Sequence, residues 1–112
     1  MNRQVIKPWG MEEIWAHTDK YVGKFLYIDH GQRLSLQHHD VKDETIIVLQ
    51  GHLQLELEDD AGQVITSSLW PGERAHILPG RKHRFSAVTQ VKLCEVSTPE
   101  LDDVVRHPST CR

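Results

Sequence analysis

The most constraining feature of this sequence is a strict alternation of apolar and polar residues over positions 52–58, which read His-Leu-Gln-Leu-Glu-Leu-Glu. Successive side chains of a β-strand point to opposite faces of a sheet, so this segment can bury its leucines on one face and expose its polar residues on the other. Asp-Asp-Ala-Gly follows at 59–62 and is typical of a tight turn. The pattern predicts a half-buried strand that ends in a turn.

Similar short segments recur along the chain, separated by glycine, proline or acidic turn residues. Residues 45–49 are apolar and rich in β-branched side chains, and the Gln50-Gly51 pair predicts a hairpin that joins them to the strand at 52–58. Further strands are predicted at residues 13–16, 24–28, 33–37, 63–69, 75–78, 83–87 and 91–96. So many short strands indicate an antiparallel β-sandwich or a small barrel.

One segment near the C-terminus carries the signals of a helix. Thr98 is a suitable N-cap, Pro99 would occupy the first helical position, and Glu100 would lie in the first turn. We therefore predict one short helix over residues 99–105 in an otherwise all-β fold.

The composition limits the size and the partners of the domain. The chain has 112 residues, near the size at which a single core forms, so we expect residues 1–112 to make one domain. The net charge of −3 and the absence of a dense basic stripe argue against nucleic-acid binding. No apolar run approaches the roughly 20 residues of a membrane span, and the first residues lack the apolar core of a signal peptide. We expect a cytoplasmic protein that binds neither membranes nor nucleic acids.

The two cysteines, Cys94 and Cys111, are too few and too irregularly placed for a disulfide framework or a thiolate zinc site. We expect both to be free thiols. The eight histidines are the more informative residues of this composition.

Four polar residues have the spacing of a metal site. Gln37 and His39 are two residues apart, so on a strand their side chains point to the same face at about 7 Å from each other. Glu44 can return from the next strand, and His83 opens a distant one. Imidazole nitrogens together with carboxylate and amide oxygens suit Zn²⁺, Fe²⁺, Mn²⁺, Ni²⁺ or Co²⁺.

The other histidines are interpreted as ordinary surface or core residues. A single histidine in a strand usually has no ligand role, and this applies to His17, His30, His52, His76 and His107. His38 is adjacent to His39 and is expected to face the other way.

Two spaced motifs resemble those of the cupin superfamily. Gly31-x5-Gln37-x-His39-x4-Glu44-x6-Gly51 is similar to the first cupin motif, Gly-x5-His-x-His-x3,4-Glu-x6-Gly, with glutamine in place of the first histidine. Gly72-x5-Leu78-x-Gly80-x2-His83 is similar to the second motif, although Leu78 stands where that motif has proline. The resemblance implies a cupin fold over most of the chain, a double-stranded β-helix or jelly-roll barrel.

The glutamine narrows the resemblance to one kind of cupin, the cupin domain of type II mannose-6-phosphate isomerases that are fused to a guanylyltransferase. Similar segments are Lys7-Pro8-Trp9-Gly10, Leu34-Ser35-Leu36-Gln37, His83-Arg84, Glu95-Val96 and Asp102-Asp103-Val104-Val105-Arg106. The resemblance implies that one divalent metal ion per chain is held by Gln37, His39, Glu44 and His83. Zinc is the first candidate, and manganese, cobalt, nickel and iron are alternatives.

The resemblance also implies a sugar phosphate as substrate and an aldose–ketose isomerisation as reaction. The metal would stabilise negative charge on the sugar oxygens, and a base must reach a carbon-bound proton. Lys24 and Glu95 are both candidates for this proton transfer. The candidates for binding the phosphate or a hydroxyl of the substrate are Arg84, Arg33, Arg106 and Ser35.

Two other classes of function stay open at this point. One is a different metal-dependent cupin enzyme, such as an oxygenase or a lyase. The other is a non-catalytic cupin that binds a sugar, another small metabolite or a partner protein. Oxygen uptake with iron would indicate the first, and a failure to turn over mannose 6-phosphate would favour the second.

Association into a homodimer is expected from the small size of the fold. A cupin this short would leave sheet edges and apolar residues of its outer face uncovered, among them Val5, Ile6, Trp9 and Ile14.

Overall fold

Two antiparallel sheets make up the regular structure of residues 3–108, the part of the chain that the computed structural model describes. In chain order the strands are β1 (Arg3–Lys7), β2 (Gly10–His17), β3 (Val22–Ile28), β4 (Gln37–His38), β5 (Glu44–Gln50), β6 (Leu53–Glu58), β7 (Val64–Leu69), β8 (Arg74–Ile77), β9 (His83–Ala87), β10 (Val91–Ser97) and β11 (Val105–Arg106). The six-stranded sheet has the order β1-β2-β3-β10-β5-β8, and the five-stranded sheet has the order β11-β4-β9-β6-β7. The predicted all-β sandwich is confirmed. Within residues 3–108 there is no helix of the length and apolar character needed to cross a membrane.

The core lies between the sheets and is built from the inward positions of the alternating strands. Ile46 and Val48 of β5 face Leu53 and Leu55 of β6, and all four belong to one buried apolar cluster. The predicted strand at 52–58 and its turn are confirmed, since β6 pairs with β7 and the Asp59 carboxylate accepts hydrogen bonds from two amides of the turn. Alternation along the sequence therefore places the apolar face correctly.

The predicted hairpin across Gln50-Gly51 is wrong, because β5 and β6 belong to different sheets. Both edges of β5 are occupied by β10 and β8, which leaves no edge for β6. Gly51 forms the corner at which the chain changes sheet, with φ of +88°. A side chain there would collide with the backbone, because an added Cβ would lie 2.0 Å from the carbonyl oxygen of Gln90.

The predicted short C-terminal helix is also wrong. Residues 99–104 form turns, and β11 after them pairs with β4. The Asp103 carboxylate accepts hydrogen bonds from the backbone amides of residues 40–42, which holds this segment against a distant loop. A helical segment this short is marginal by itself, so tertiary hydrogen bonds outweigh its N-cap signals.

Two local predictions near the N-terminus need correction. The strand predicted at 33–37 is reduced to a single bridge between Arg33 and Ser86 and to the two residues of β4, whereas β1 was not predicted. Of the apolar residues assigned to the outer face, Val5, Trp9 and Ile14 instead line an internal cavity. Ile6 is the one that points outward, with 78% of its surface exposed.

The cysteine prediction is tested at one position. Cys94 on β10 is a free, half-buried thiol, and Cys111 lies outside the described residues. Burial raises the pKa of the Cys94 thiol.

Candidate metal site and its cavity

A cavity of about 640 Å³ lies between the two sheets. It reaches the edge strands β1 and β11, which both contribute side chains to its wall. Its lining is predominantly polar and carries charges of both signs. The cavity is therefore the natural place to look for the predicted site residues.

Three of the four predicted ligands come together beside this cavity, and two of them, His39 and Glu44, line it. His39 follows β4 directly, Glu44 begins β5 and His83 begins β9, so both sheets contribute. The Glu44 Oε2 atom lies 3.5 Å from Nε2 of His39 and 3.2 Å from Nε2 of His83. All three side chains are buried, and one potential ligand atom from each lies within 4.8 Å of the others. This spacing is compatible with coordination of a single ion.

Hydrogen bonds to the backbone set the tautomers of both imidazoles. His39 donates from Nδ1 to the carbonyl oxygen of Asp103 at 2.5 Å, and His83 donates from Nδ1 to the carbonyl oxygen of Arg81 at 3.0 Å. A carbonyl only accepts, so each Nδ1 carries the hydrogen and each neutral ring presents the lone pair of Nε2. Both Nε2 atoms are buried and make no hydrogen bond with the described residues. Buried polar atoms rarely stay unsatisfied, and a metal ion would satisfy both.

Gln37, the fourth predicted ligand, lies next to this cluster. It is the cross-strand partner of His83 between β4 and β9, so the two side chains share a face of the sheet. Its Oε1 atom accepts a hydrogen bond from the Ser35 hydroxyl at 3.2 Å. Gln37 and Ser35 both line the cavity.

The charges within the cluster favour an ionised Glu44. Burial alone would raise the pKa of this carboxyl, but His39, His83 and the ammonium of Lys42 outweigh it and hold the pKa well below the ordinary range. For His39, burial lowers the pKa, and the neighbouring Glu44 carboxylate more than reverses this and raises it. The carboxylate is therefore available as a ligand, whereas a proton competes with a metal for His39.

Lys42 is the functional candidate that the sequence analysis missed. Its ammonium is buried between two carboxylates, 3.2 Å from Oε1 of Glu44 and 3.0 Å from Oε2 of Glu95. Burial disfavours the charged lysine, but these carboxylates outweigh it and raise the pKa of Lys42. Strand alternation could not have found it, because Lys42 lies in the loop before β5 and one of its two partners is on β10.

Both predicted proton-transfer residues lie in the cavity wall. Glu95 on β10 is buried, and this burial together with the charge of Glu44 raises the pKa of its carboxyl. Lys24 on β3 is the cross-strand partner of Glu95, and its Nζ lies 3.4 Å from Oε1 of Glu12. The structure thus brings Lys24 and Glu95 together beside the three converging ligands.

Only two of the four predicted substrate-binding residues lie at the cavity. Ser35 and Arg106 line the cavity, whereas Arg84 and Arg33 do not. Arg84 follows the inward-facing His83 on β9 and so points to the opposite face, where its guanidinium donates to both carboxylate oxygens of Glu56 at 2.9 and 3.0 Å. Arg33 is exposed at its bridge with Ser86.

Two arginines remain for an anionic ligand at the cavity edge. Arg3, which was not predicted, and Arg106 both line the cavity, and within residues 3–108 neither makes an ion pair. Each lysine of the same wall has a glutamate partner, as Lys7 does with Glu12 at 4.0 Å. The arginines lie on the edge strands β1 and β11, one from each sheet.

Three other histidines have partners away from the cluster. His38 contacts His107, with 2.7 Å between Nδ1 and Nε2, and so faces away from His39 as predicted. His52 stacks on Trp70 with ring centres 4.0 Å apart.

The sequence matches the family described as mannose-6-phosphate isomerase C-terminal over residues 1–108. The chain belongs to this family. A comparison with the curated proteins finds no significant match.

Two solved structures illustrate the fold that this mannose-6-phosphate isomerase C-terminal domain shares with other proteins. KdgF from Halomonas sp. has a TM-score of 0.75 and 23% identity, with 92% of this chain and 89% of that chain covered. The oxalate decarboxylase of Bacillus subtilis at pH 4.6 has a TM-score of 0.83 and 11% identity, covering 94% of this chain but 30% of that one. The chain thus spans about 30% of the length of the oxalate decarboxylase. At these identities the likeness establishes the shared fold.

Proposed function

We propose that this domain is a metal-dependent sugar-phosphate isomerase of the mannose-6-phosphate isomerase type, which interconverts an aldose phosphate and its ketose. One observation carries the proposal: the ligand atoms of His39, Glu44 and His83 converge, and His39 and Glu44 line the same cavity as Lys24 and Glu95. A metal-binding group and a proton-transfer group in one enclosed site are the two requirements of this reaction.

The donor set supports a borderline divalent ion held by Gln37, His39, Glu44 and His83. Two imidazole nitrogens with one carboxylate and one amide oxygen suit zinc, and also manganese, cobalt, nickel or iron. Manganese(II) centres are described for the oxalate decarboxylase of Bacillus subtilis, which has the same fold. When bound, the metal would supply a Lewis acid that stabilises negative charge on the carbonyl and hydroxyl oxygens of the sugar.

Glu95 is the base in this proposal. Isomerisation removes a proton from the hydroxyl-bearing carbon next to the carbonyl and returns it to the former carbonyl carbon, while another proton passes between the two oxygens. A carboxyl whose pKa is raised toward neutrality suits such a transfer better than an ordinary one. Lys24, opposite Glu95 and beside Glu12, is the second candidate.

Arg106 and Arg3 are proposed to bind the phosphate. A phosphate dianion needs cations that are not already paired, and guanidinium groups can bind its oxygens with two hydrogen bonds. The unpaired arginines at the edge of the cavity meet this need, whereas Arg84 is committed to Glu56. Ser35 lines the same cavity beside Gln37 and is proposed to contact a sugar hydroxyl.

Metal analysis followed by an isomerase assay tests the proposal. Protein purified without a histidine tag is expected to bind one divalent ion per chain and to interconvert mannose 6-phosphate, or a related aldose phosphate, with its ketose. Glu95→Gln is expected to lower kcat by about a hundredfold or more, and Lys24→Met tests the second candidate base. Absence of turnover with zinc, manganese, cobalt and nickel in turn would contradict the isomerase.

A metal-binding cupin without isomerase activity is the second candidate. It is favoured by the 3.0 Å contact between Lys42 and Glu95, because a carboxylate held by an ammonium is less available as a base. Binding of a sugar phosphate to the metal-loaded protein without turnover would support it, and oxygen uptake by the iron-loaded protein would indicate an oxygenase.

A homodimer is also proposed. The edge strand β1 carries the exposed Ile6, and pairing of such an edge with a second chain would cover it. Light scattering is expected to give twice the chain mass of 12.9 kDa, and a monomer at micromolar concentration would contradict the proposal.

A further inference from the structure

We propose that Asp103 is the positioning residue of the metal site, because it holds both the ring of His39 and the loop that joins His39 to Glu44. The inference rests on the proposed metal-binding function and extends it to a residue outside the ligand set. Asp103 belongs to the C-terminal strap, defined here as residues 99–106, which crosses the cavity wall.

Asp103 makes four hydrogen bonds to one short stretch of chain. Its carboxylate accepts from the backbone amides of Asp40, Val41 and Lys42 at 3.1, 2.8 and 2.9 Å. Its backbone carbonyl accepts from Nδ1 of His39 at 2.5 Å. The amide hydrogen bonds, that from Lys42 first, hold the pKa of the Asp103 carboxyl below its ordinary value.

The loop at 40–43 depends on these contacts because it belongs to neither sheet. Its far end, Asp43, is held by two other residues. The Thr98 hydroxyl accepts from the Asp43 amide at 2.9 Å, the Thr98 amide donates to the Asp43 carbonyl at 3.0 Å, and Nε2 of His76 lies 2.6 Å from the Asp43 carboxylate. The loop carries Lys42 and ends at Glu44, so its path sets how both side chains meet His39. Without a partner for its amides, such a loop would open locally.

The geometry separates Asp103 from the groups that face the cavity. Leu101, Asp102, Val104 and Arg106 of the strap line the cavity, whereas Asp103 does not. Its carboxylate points to the loop, where it accepts the three amide hydrogen bonds. Asp103 therefore acts through His39 and the loop. The same hydrogen bonds hold the strap, which carries Arg106, against the loop.

The tautomer of His39 links this contact to the metal. A ring that coordinates through Nε2 must keep the hydrogen on Nδ1, and the Asp103 carbonyl accepts that hydrogen. A metal ion bound at Nε2 would keep the hydrogen on Nδ1 and so would favour the contact between His39 and the strap. Metal binding is expected to slow amide exchange in the strap, and loss of the strap contact is expected to weaken metal binding.

The test compares Asp103→Ala and Asp103→Asn with a matched control, Asp102→Asn, in the full chain. Asp102→Asn removes one negative charge from the same strap, as Asp103→Asn does, but the Asp102 carboxylate accepts no hydrogen bond from the described residues. The readouts on metal-free protein are the His39 tautomer by nitrogen NMR and amide hydrogen exchange at residues 40–42. A cobalt titration then gives the metal affinity.

Wild type is expected to show the Nδ1–H tautomer and protected amides. Asp103→Ala keeps the backbone carbonyl but removes the carboxylate that holds the strap to the loop, so the carbonyl is expected to move away from Nδ1 of His39 and the tautomer preference to be lost. Exchange at 40–42 is expected to accelerate at least about tenfold and metal affinity to fall about 10- to 100-fold. Asp103→Asn keeps one acceptor oxygen and is expected to lie between, which keeps the test valid if the alanine variant does not fold. Asp102→Asn is expected to match wild type in tautomer and exchange.

The readouts distinguish failure of this inference from failure of the proposed function. If wild type binds no metal but the Asp103 variants lose the His39 tautomer and the slow exchange at residues 40–42, the positioning role is supported and the metal-binding function is contradicted. If Asp103→Ala or Asp103→Asn keeps the tautomer and the slow exchange, the positioning role is overturned whatever the metal does.

Discussion

The protonation of two nitrogen atoms decides what the centre of this molecule can bind. Nε2 of His39 and of His83 are both turned toward Glu44 and are both free of hydrogen bonds to the described residues. A buried histidine that served only packing would place its polar atoms against partners. The arrangement instead leaves two lone pairs and a carboxylate around one point.

Removing either imidazole is predicted to abolish stoichiometric metal binding. His39→Ala and His83→Ala each delete one of two nitrogen ligands, and the remaining donors are too few to hold a borderline ion. His38→Ala and His52→Ala are the matched controls, because these rings contact His107 and Trp70 and point away from the site. Metal analysis after dialysis measures the result. Loss of metal from the control variants would mean that the ligand assignment is wrong.

Lys42→Met is predicted to destabilise the metal-free protein by about 3–5 kcal/mol. The substitution leaves the carboxylates of Glu44 and Glu95 buried without their shared ammonium. Adding Glu95→Gln is expected to recover part of the loss, since it removes one of the two charges. Urea denaturation measures both, with Lys20→Met on the exposed surface expected to stay within about 0.5 kcal/mol of wild type. A Lys42→Met variant as stable as wild type would show that the bridge contributes nothing.

Residues whose role depends on local spacing were predictable, and residues whose role depends on distant partners were not. His39 and Glu44 follow from a motif, and their convergence with His83 agrees with it. Lys42 was missed because its second partner, Glu95, lies on a strand far along the chain. Arg84 was proposed for the substrate from its place beside His83, but neighbours on a strand face opposite ways.

At the scale of elements, strands were easier to predict than their partners. The alternation of apolar and polar residues predicted β6 and its turn correctly. It could not predict the partner of β6, because a glycine between two strands is compatible both with a hairpin and with a corner between two sheets. Gly51 makes a corner because β5 is already paired on both edges. The strap shows the same limit, since N-cap signals at Thr98 are local and the Asp103 contacts that override them are not.

Gly51→Ala is predicted to destabilise the fold by at least about 1 kcal/mol more than Gly72→Ala. Both glycines have positive φ, +88° and +89°, so alanine at either position carries the same backbone strain. An added Cβ at Gly51 meets the Gln90 carbonyl at 2.0 Å, whereas at Gly72 it meets nothing within 4 Å. Urea denaturation of the two variants measures the difference. Equal losses would show that the corner relaxes without cost.

At the scale of the whole molecule, the site joins the two sheets. His83 lies in the five-stranded sheet, His39 directly follows β4 of that sheet, and Glu44 begins β5 of the six-stranded sheet. His83 is distant from His39 and Glu44 along the chain, so a metal ion held by all three would bind the folded state and stabilise it by mass action. Cooperative folding of both sheets and assembly of the site are therefore one event.

Metal at a hundredfold excess over its Kd is predicted to stabilise the fold by about 2.7 kcal/mol, and this gain is predicted to shrink in acid. The pKa of His39 is raised above its ordinary 6.5, so protonation stabilises the metal-free form below pH 6.5 and this contribution is lost as pH rises through the folded pKa. The metal needs the neutral ring. As the pH is lowered, the stabilisation by metal therefore begins to fall while the pH is still above 6.5. Thermal melts with and without metal across pH measure it, and a gain that stays constant down to pH 5 would contradict it.

The division of labour between the sheets bears on how such a domain can diverge. His83 lies in the five-stranded sheet and His39 directly follows β4 of the same sheet, whereas Lys24 and Glu95 are on neighbouring strands of the six-stranded sheet. Substitutions on β3 and β10 can thus alter the proton-transfer groups while the proposed nitrogen ligands, His39 and His83, stay unchanged. Such a fold could therefore change its reaction in evolution while it keeps the residues of a metal site, and the fold itself persists at 11% identity.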